Sequence, residues 1–277
     1  YKKIRNTARY LLSNLNGFEP ERDAVPHDQL LDVDKWVLSR AAEVFDRCLK
    51  AYGDYEFHIV YHRVLDLCTV VLSSLYLDIS KDTLYCDGPT SVSRRSAQTA
   101  MYEILRGMVA FLAPLLTFTT EEIYEAMPGA KEQSVHLIDF PSIAAPKTDS
   151  AAWDRIFRVR EAVSKVLEGA RAAGTIGQSL EADVTLHGVT REAIVGTLDL
   201  DLAKVFIVSH VDFSAAAIDS SIEIEGIGPI GITMSPARGK KCGRCWQYRE
   251  EVIEDGGLCA RCDEVVATLE VPEQPTV

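Results

Sequence analysis

Apolar residues recur at intervals of three and four through most of the first 130 positions, the spacing of helices that bury one face. Ile4, Ala8, Leu11, Leu12 and Leu15 define a first helix over about residues 1–15, closed by Gly17. A polar stretch with Pro20 and Pro26 leads to a second helix, about 34–52, whose Val37, Ala41, Val44, Phe45 and Leu49 face inward. Gly53-Asp54 turns the chain into a long third helix over about 55–79, burying Phe57, Val60, Val64, Leu65, Cys68, Val71, Leu72 and Leu75. Ser93 is the expected cap of a fourth helix, about 94–113, which Pro114 ends or kinks. Thr119 and Glu122 have the spacing of a capping box and start a short helix to Met127. This part of the chain is predicted to be a helical bundle.

The pattern then changes. Residues 130–149, with Pro141 and Pro146, read as an extended linker. A helix over about 151–173 carries Trp153, Ile156, Val163, Val166 and Leu167 and stops at Gly174. Ala182, Val184 and Leu186 alternate with Asp183, Thr185 and His187, the period of a half-buried strand. A short helix near 191–195 follows, then strands at Val205–Val208, Ile222–Ile224 and Ile230–Met234. The expected architecture is mainly α: a helical domain over 1–149, a small α/β junction domain over 150–236 and a compact module over 237–277. The tail past Cys262 has no Lys or Arg and is expected to fray after Val271.

Composition changes this picture little: of 277 residues, 47% are apolar and 25% charged, as in ordinary globular proteins. The longest apolar run, Met108 to Leu116, is interrupted by Pro114 and too short to span a bilayer, so no membrane partner is expected. Residues 1–15 are basic and amphipathic, unlike a secretory leader. The chain opens on Tyr1, inside a helical pattern, and reads as a piece of a longer protein.

Charge changes it more. A net charge of −12 argues against a general nucleic-acid binder, DNA included. Two basic clusters stand against that average: Lys2, Lys3, Arg5 and Arg9 at the start, and Arg238, Lys240, Lys241, Arg244 and Arg249 near the end. They are the two candidate phosphate-facing surfaces, or else solvated faces. Asn6, beside Arg5 and Arg9, has the reach to contact a ligand backbone.

The chemistry concentrates in the cysteines. Cys242-x-x-Cys245 and Cys259-x-x-Cys262 stand thirteen residues apart, each placing two sulfurs on one tight turn. Facing turns of this kind suit a tetrahedral four-thiolate zinc site, with two disulfides or a redox pair as the competing readings. The module has few large apolar side chains, and a structural zinc contributes on the order of 10–16 kcal/mol to folding. The odd set Cys48, Cys68 and Cys86 fits free thiols in a reducing cytoplasm. His58 and His62 have the spacing of a zinc-protease pair, but Ile59 stands where the general base would be, so they read as helix-surface or core-edge histidines. No phosphate-binding glycine loop, nucleophile elbow or catalytic carboxylate pair is evident; no catalytic residue is assigned.

Five motifs together resemble the C-terminal third of the bacterial isoleucyl-tRNA synthetase family, class I aminoacyl-tRNA synthetases. They are Lys3-Ile4-Arg5-Asn6-Thr7-Ala8-Arg9-Tyr10-Leu11-Leu12; Tyr76-Leu77-Asp78-Ile79-Ser80-Lys81-Asp82 with Leu84-Tyr85; Ser134-Val135-His136-Leu137 with Phe140-Pro141; Ile176-Gly177-Gln178-Ser179-Leu180-Glu181-Ala182; and the Cys-x-Arg-Cys-Trp and Cys-x-Arg-Cys pair at 242–246 and 259–262. The first motifs also admit the valyl and leucyl relatives; the terminal module selects the isoleucyl family.

The resemblance implies an anticodon-binding bundle, a junction domain and a zinc module from a ligase that joins isoleucine to its tRNA using ATP and magnesium. The family's ATP-site signatures, His-x-Gly-His and Lys-Met-Ser-Lys-Ser, are absent from these 277 residues, so neither aminoacylation nor editing is expected of them alone. Candidate tRNA contacts are Lys3, Arg5, Asn6, Arg9, Lys241, Arg244 and Trp246, with one zinc on Cys242, Cys245, Cys259 and Cys262. Trp246, on the metal turn, either stacks on an unpaired base or packs in the module's own core. The expected particle is a monomer that binds isoleucine tRNA. The competing functions are a generic zinc-ribbon nucleic-acid binder and a structural module packed on a catalytic domain.

Overall fold

A computed structural model describes residues 1–269, in two compact units: residues 1–84 with 89–150, and residues 85–88 with those from 151 onward. The expected fraying after Val271 lies outside the described residues. The fold is mainly α with small sheets, as expected.

In the first unit, α1 (Lys2–Asn14) buries Ile4, Thr7, Ala8 and Leu11. The mid-helix Thr7 is accommodated because its hydroxyl donates to the Lys3 carbonyl at 3.0 Å. After a one-turn α2 (Pro20–Asp23), α3 (Asp32–Gly53) buries Val37, Ala41, Phe45 and Cys48. Leu49, expected inward, is exposed, because the stripe steps from Phe45 to Cys48.

The expected single helix over 55–79 is three pieces: α4 (Phe57–Asp66), a π-helical stretch (Leu67–Tyr76) and α5 (Leu77–Cys86). The Ser73 and Ser74 hydroxyls donate five residues back, to the carbonyls of Cys68 at 2.7 Å and Thr69 at 2.8 Å. Side chains inserted into the backbone ladder in this way favour wider turns. Phe57, expected to be buried, is exposed at the start of α4 and touches the rings of Tyr52 and Tyr55.

Helix α6 (Val92–Leu112) is capped by Ser91 rather than Ser93, the Ser91 hydroxyl accepting from the Arg94 N–H at 3.3 Å. Helix α7 (Thr117–Ala126) starts before the expected capping box and has no side-chain cap. Its threonines bond backward instead, Thr117 to the Ala113 carbonyl and Thr120 to that of Leu116. Residues 130–149 are extended as read, yet they are packed: Val135 is buried, and Phe140 stacks on Phe111 and Tyr52 at 4.8 and 5.1 Å.

The second unit starts with α8 (Ser150–Ala172), which buries Trp153, Ile156, Val159 and Val163. Its sheet consists of β1 (Ala182–His187), β2 (His210–Ser214), β3 (Ser221–Ile224) and β4 (Gly228–Pro236), in the order β2-β1-β4-β3. Strand β1 runs parallel to β2 and antiparallel to β4. The crossover between β1 and β2 carries α9 (Arg191–Val195) and α10 (Leu202–Phe206). The apolar run at 205–208, expected as a strand, is therefore the end of a helix. Asp201 caps that helix by accepting from the Ala203 N–H at 2.9 Å, and Ile207 breaks it with φ +59°. Short apolar runs carry no period that separates strand from buried helix. Asp183, expected to point outward from β1, is 4% exposed because its carboxylate accepts from His210 and Arg238, both at 2.7 Å.

A buried polar knot holds the bundle's start. The Asp34 carboxylate is 1% exposed and accepts from the hydroxyls of Tyr76 at 2.6 Å and Ser96 at 2.5 Å; Ser96 in turn accepts from the Leu31 N–H. Burial pushes the Asp34 carboxyl up to about 6, against those two hydrogen bonds, which lower it. The folded state thus holds the proton more tightly than the unfolded chain. This residue's contribution to stability is complete below about pH 4 and is lost as pH rises through about 6. Across that window the parent's helical unit should lose about 3 kcal/mol relative to Asp34→Asn, measured as the difference in unfolding free energy at each pH. A difference that stays constant with pH would contradict this.

Candidate metal centre and nucleic-acid interface

The first cysteine turn hangs from a two-stranded ribbon, β5 (Lys240–Lys241) with β6 (Tyr248–Arg249). Gly239 enters it at φ +83°, where a Cβ would lie 2.3 Å from the Arg249 carbonyl group, so only glycine fits. At the tip, the Cys242 N–H donates to Gln247 O at 2.9 Å and the Trp246 N–H to Cys242 O at 3.0 Å. The second turn opens α11 (Ala260–Thr268), with Cys259 at its N-cap and Cys262 in its first turn. Bonds from Gly243 N–H to Gly257 O and from Gly256 N–H to Lys241 O bring the two turns face to face.

The four sulfurs lie within 4.8 Å of one another, those of Cys245 and Cys259 at 3.8 Å, and all four residues are buried. A tetrahedron with metal–sulfur bonds of ~2.3 Å has edges of ~3.8 Å, so the donor set fits zinc, and four enclosed ligands are the closed arrangement of a structural site. Among the described residues, no other group of three or more His, Cys, Asp or Glu lies close enough to hold a metal. Burial pushes the Cys242 thiol up, but hydrogen bonding from the backbone at Cys245, Cys259 and Arg244 outweighs it and brings the thiol down to about 6. Burial raises Cys245 and Cys259, and the charges of neighbouring sulfurs raise them further. A divalent cation at the centre would remove that repulsion. Little else is there to hold the module: Val252 and Cys86 are buried against the sulfurs, with Leu258 partly so.

The candidate RNA-facing residues fall into two kinds. On α1, Lys2, Lys3, Arg5, Asn6 and Arg9 are all exposed, and no ion-pair partner faces them among the described residues. Lys3 and Asn6 line a groove of about 460 Å³ with Thr69, Ser73 and Lys81, and so beside the π-helical stretch. No periodicity marks those three residues, and the sequence reading missed them. The second basic cluster is largely engaged by the protein itself. Arg238 bridges Asp183 and Asp212, Arg249 donates to Gln247, and Arg244 donates to backbone carbonyls. Lys241 lies over the Trp246 ring, 5.5 Å from its centroid. Trp246 is 55% exposed and takes a left-handed backbone, φ +66°. Cys48 and Cys68 are buried thiols in the helical unit, and His58 and His62 are exposed on α4.

Residues 34–186 match the anticodon-binding domain of tRNA ligase, and residues 239–265 match the zinc finger found in FPG and IleRS. The chain belongs to the family of tRNA-ligase anticodon-binding domains. It is 45% identical to an isoleucine–tRNA ligase of Syntrophotalea carbinolica, over 96% of this chain and 29% of that protein. Isoleucine–tRNA ligases of Carboxydothermus hydrogenoformans and Geobacter sulfurreducens are each 42% identical, over 97% and 96% of this chain and 30% of theirs. The chain therefore spans about 30% of the length of the curated relatives it matches.

The close approach of the two turns makes a steric prediction. A Cβ on Gly243 would lie 2.5 Å from the Gly256 carbonyl oxygen, a backbone atom that cannot rotate away. Gly243→Ala should destabilise the second unit by about 1–3 kcal/mol in denaturant unfolding.

Proposed function

We propose that this chain is the tRNA-binding portion of an isoleucine–tRNA ligase, which joins isoleucine to its tRNA using ATP and magnesium bound elsewhere in the longer enzyme. The observation that carries the reading is the succession, in one chain, of a tRNA-ligase anticodon-binding match and a zinc-finger match, in relatives that are isoleucine–tRNA ligases across the whole stretch. One zinc, held by Cys242, Cys245, Cys259 and Cys262, closes the terminal module. The protein works in the cytoplasm, as a monomer, on isoleucine tRNA rather than DNA. No helix among the described residues is long and apolar enough to cross a membrane.

Contact with the RNA divides by chemistry. Lys3, Arg5, Asn6 and Arg9 supply phosphate contacts, which give affinity without sequence information. Their free, acid-lacking face on α1 supports this role in a chain whose net charge of −12 otherwise opposes a polyanion. Trp246 supplies a stacking surface for an unpaired base: its exposure favours this over core packing, and Lys241 adds a charge beside it. The zinc keeps that turn in place and takes no part in bond making. Lacking both ATP-site signatures, the 277 residues alone do not activate isoleucine.

Three measurements test the reading. Metal analysis should give one zinc per chain, falling on Cys→Ser substitution at any of the four positions; a chain without zinc sinks the metal assignment. Filter binding should favour isoleucine tRNA over valine tRNA. In the same assay at several salt concentrations, Arg5→Ala should weaken binding and reduce the salt slope by about one. Trp246→Ala should cost up to roughly a hundredfold with the slope unchanged. Equal affinity for both tRNAs would count against the proposed specificity, and an unaffected Trp246→Ala variant that keeps its zinc would end the stacking role.

A further inference from the structure

Arg244 sits between the two cysteines of the first turn, half-buried, and its side chain points back into its own unit. Its Nη1 donates to the Cys86 carbonyl and lies 3.8 Å from the Cys262 Sγ, while Nη2 donates to the Tyr85 carbonyl at 3.2 Å. The contact is returned, since the Cys86 thiol lies 3.9 Å from the Arg244 carbonyl oxygen as its donor. One residue on, Arg261 of the second cysteine turn meets the Asp87 carboxylate at 3.3 Å. Cys86 itself is buried among the four sulfurs without being one of the metal-holding set.

We infer that Arg244 is a positioning residue of the zinc centre, not an RNA contact, and that Tyr85-Cys86-Asp87 is a third part of that centre beside the two Cys-x-x-Cys turns. The inference rests on the zinc reading above. Its physics has three parts. Tyr85 and Cys86 are the last two residues of α5, where carbonyls have no partner within the helix, and a forked guanidinium satisfies two at once. A zinc ion on four thiolates carries an excess of two negative charges, and an N–H donor aimed at one sulfur offsets part of it while fixing that ligand's orientation. A phosphate, to recruit Arg244, would have to replace these bonds.

The test compares zinc retention against a competing chelator in the whole chain and three variants. Arg244→Ala should lose zinc on the order of 10–100-fold more readily than the parent. Arg244→Lys should fall between them, because an ammonium keeps the charge but cannot span two carbonyls. Cys86→Ala should retain zinc like the parent, since Arg244 binds the backbone there. In tRNA binding, the salt slope of Arg244→Ala should equal the parent's. A parent without zinc overturns the metal reading itself. A zinc-loaded parent with Arg244→Ala equally retentive and its salt slope reduced by about one overturns the positioning role and restores the phosphate contact. If Arg244→Ala does not fold, retention in Arg244→Lys decides: parent-like retention overturns the inference, and intermediate loss supports it.

Discussion

Four cysteine sulfurs gathered within 4.8 Å repel one another as they ionise, and the residues around them offer too little apolar surface to hold them together. Everything at the end of the second unit answers that constraint. Gly239 and Gly243 let backbone approach backbone, the ribbon and the start of α11 hold the two turns opposite each other, and peptide N–H groups bring down the thiol of Cys242. A cation at the centre turns the repulsion into the strongest attraction in the module. The surrounding structure serves to keep the geometry, and it leaves Trp246 on the outside.

The helical unit solves a different problem with the same economy. Asp34, Tyr76 and Ser96 form a buried polar knot joining α3, the π-helical stretch and α6. Such a knot is weak evidence of stability, since the carboxyl is held against its own desolvation. What it specifies is register: Tyr76 and Ser96 can satisfy the same carboxylate only in one alignment of the three segments.

Much of this was legible in the residues. The helical stripes, the sheet strands other than β2, and the paired cysteines follow from spacing, because each depends on neighbours close in sequence. The rest depends on partners distant in sequence. Asp183 alternates with apolar residues and so reads as exposed, yet Arg238, 55 positions later, buries it. Arg244 reads as a free cation in a basic cluster until Tyr85 and Cys86 arrive beside it from 158 and 159 positions away. Val205 and Phe206 read as strand because a four-residue apolar run has no period, and only the Asp201 cap decides for a helix. On α1, by contrast, burial and exposure fall where the 3.6 period places them, and the basic residues stay outside.

The π-helical stretch from Leu67 to Tyr76 amounts to chain length held in reserve. A π turn accommodates more residues than an α turn over the same distance, so such stretches are read as insertions absorbed without breaking the helix. Removing one residue there would allow ordinary winding to return and would rotate whatever follows by about 100°. Tyr76 would swing away from Asp34, and Lys81 would leave the groove it shares with Lys3 and Asn6. The length of this helix is thus fixed to the single residue by a carboxylate on one side and a surface on the other. Any drift in its sequence can exchange side chains but not change their number.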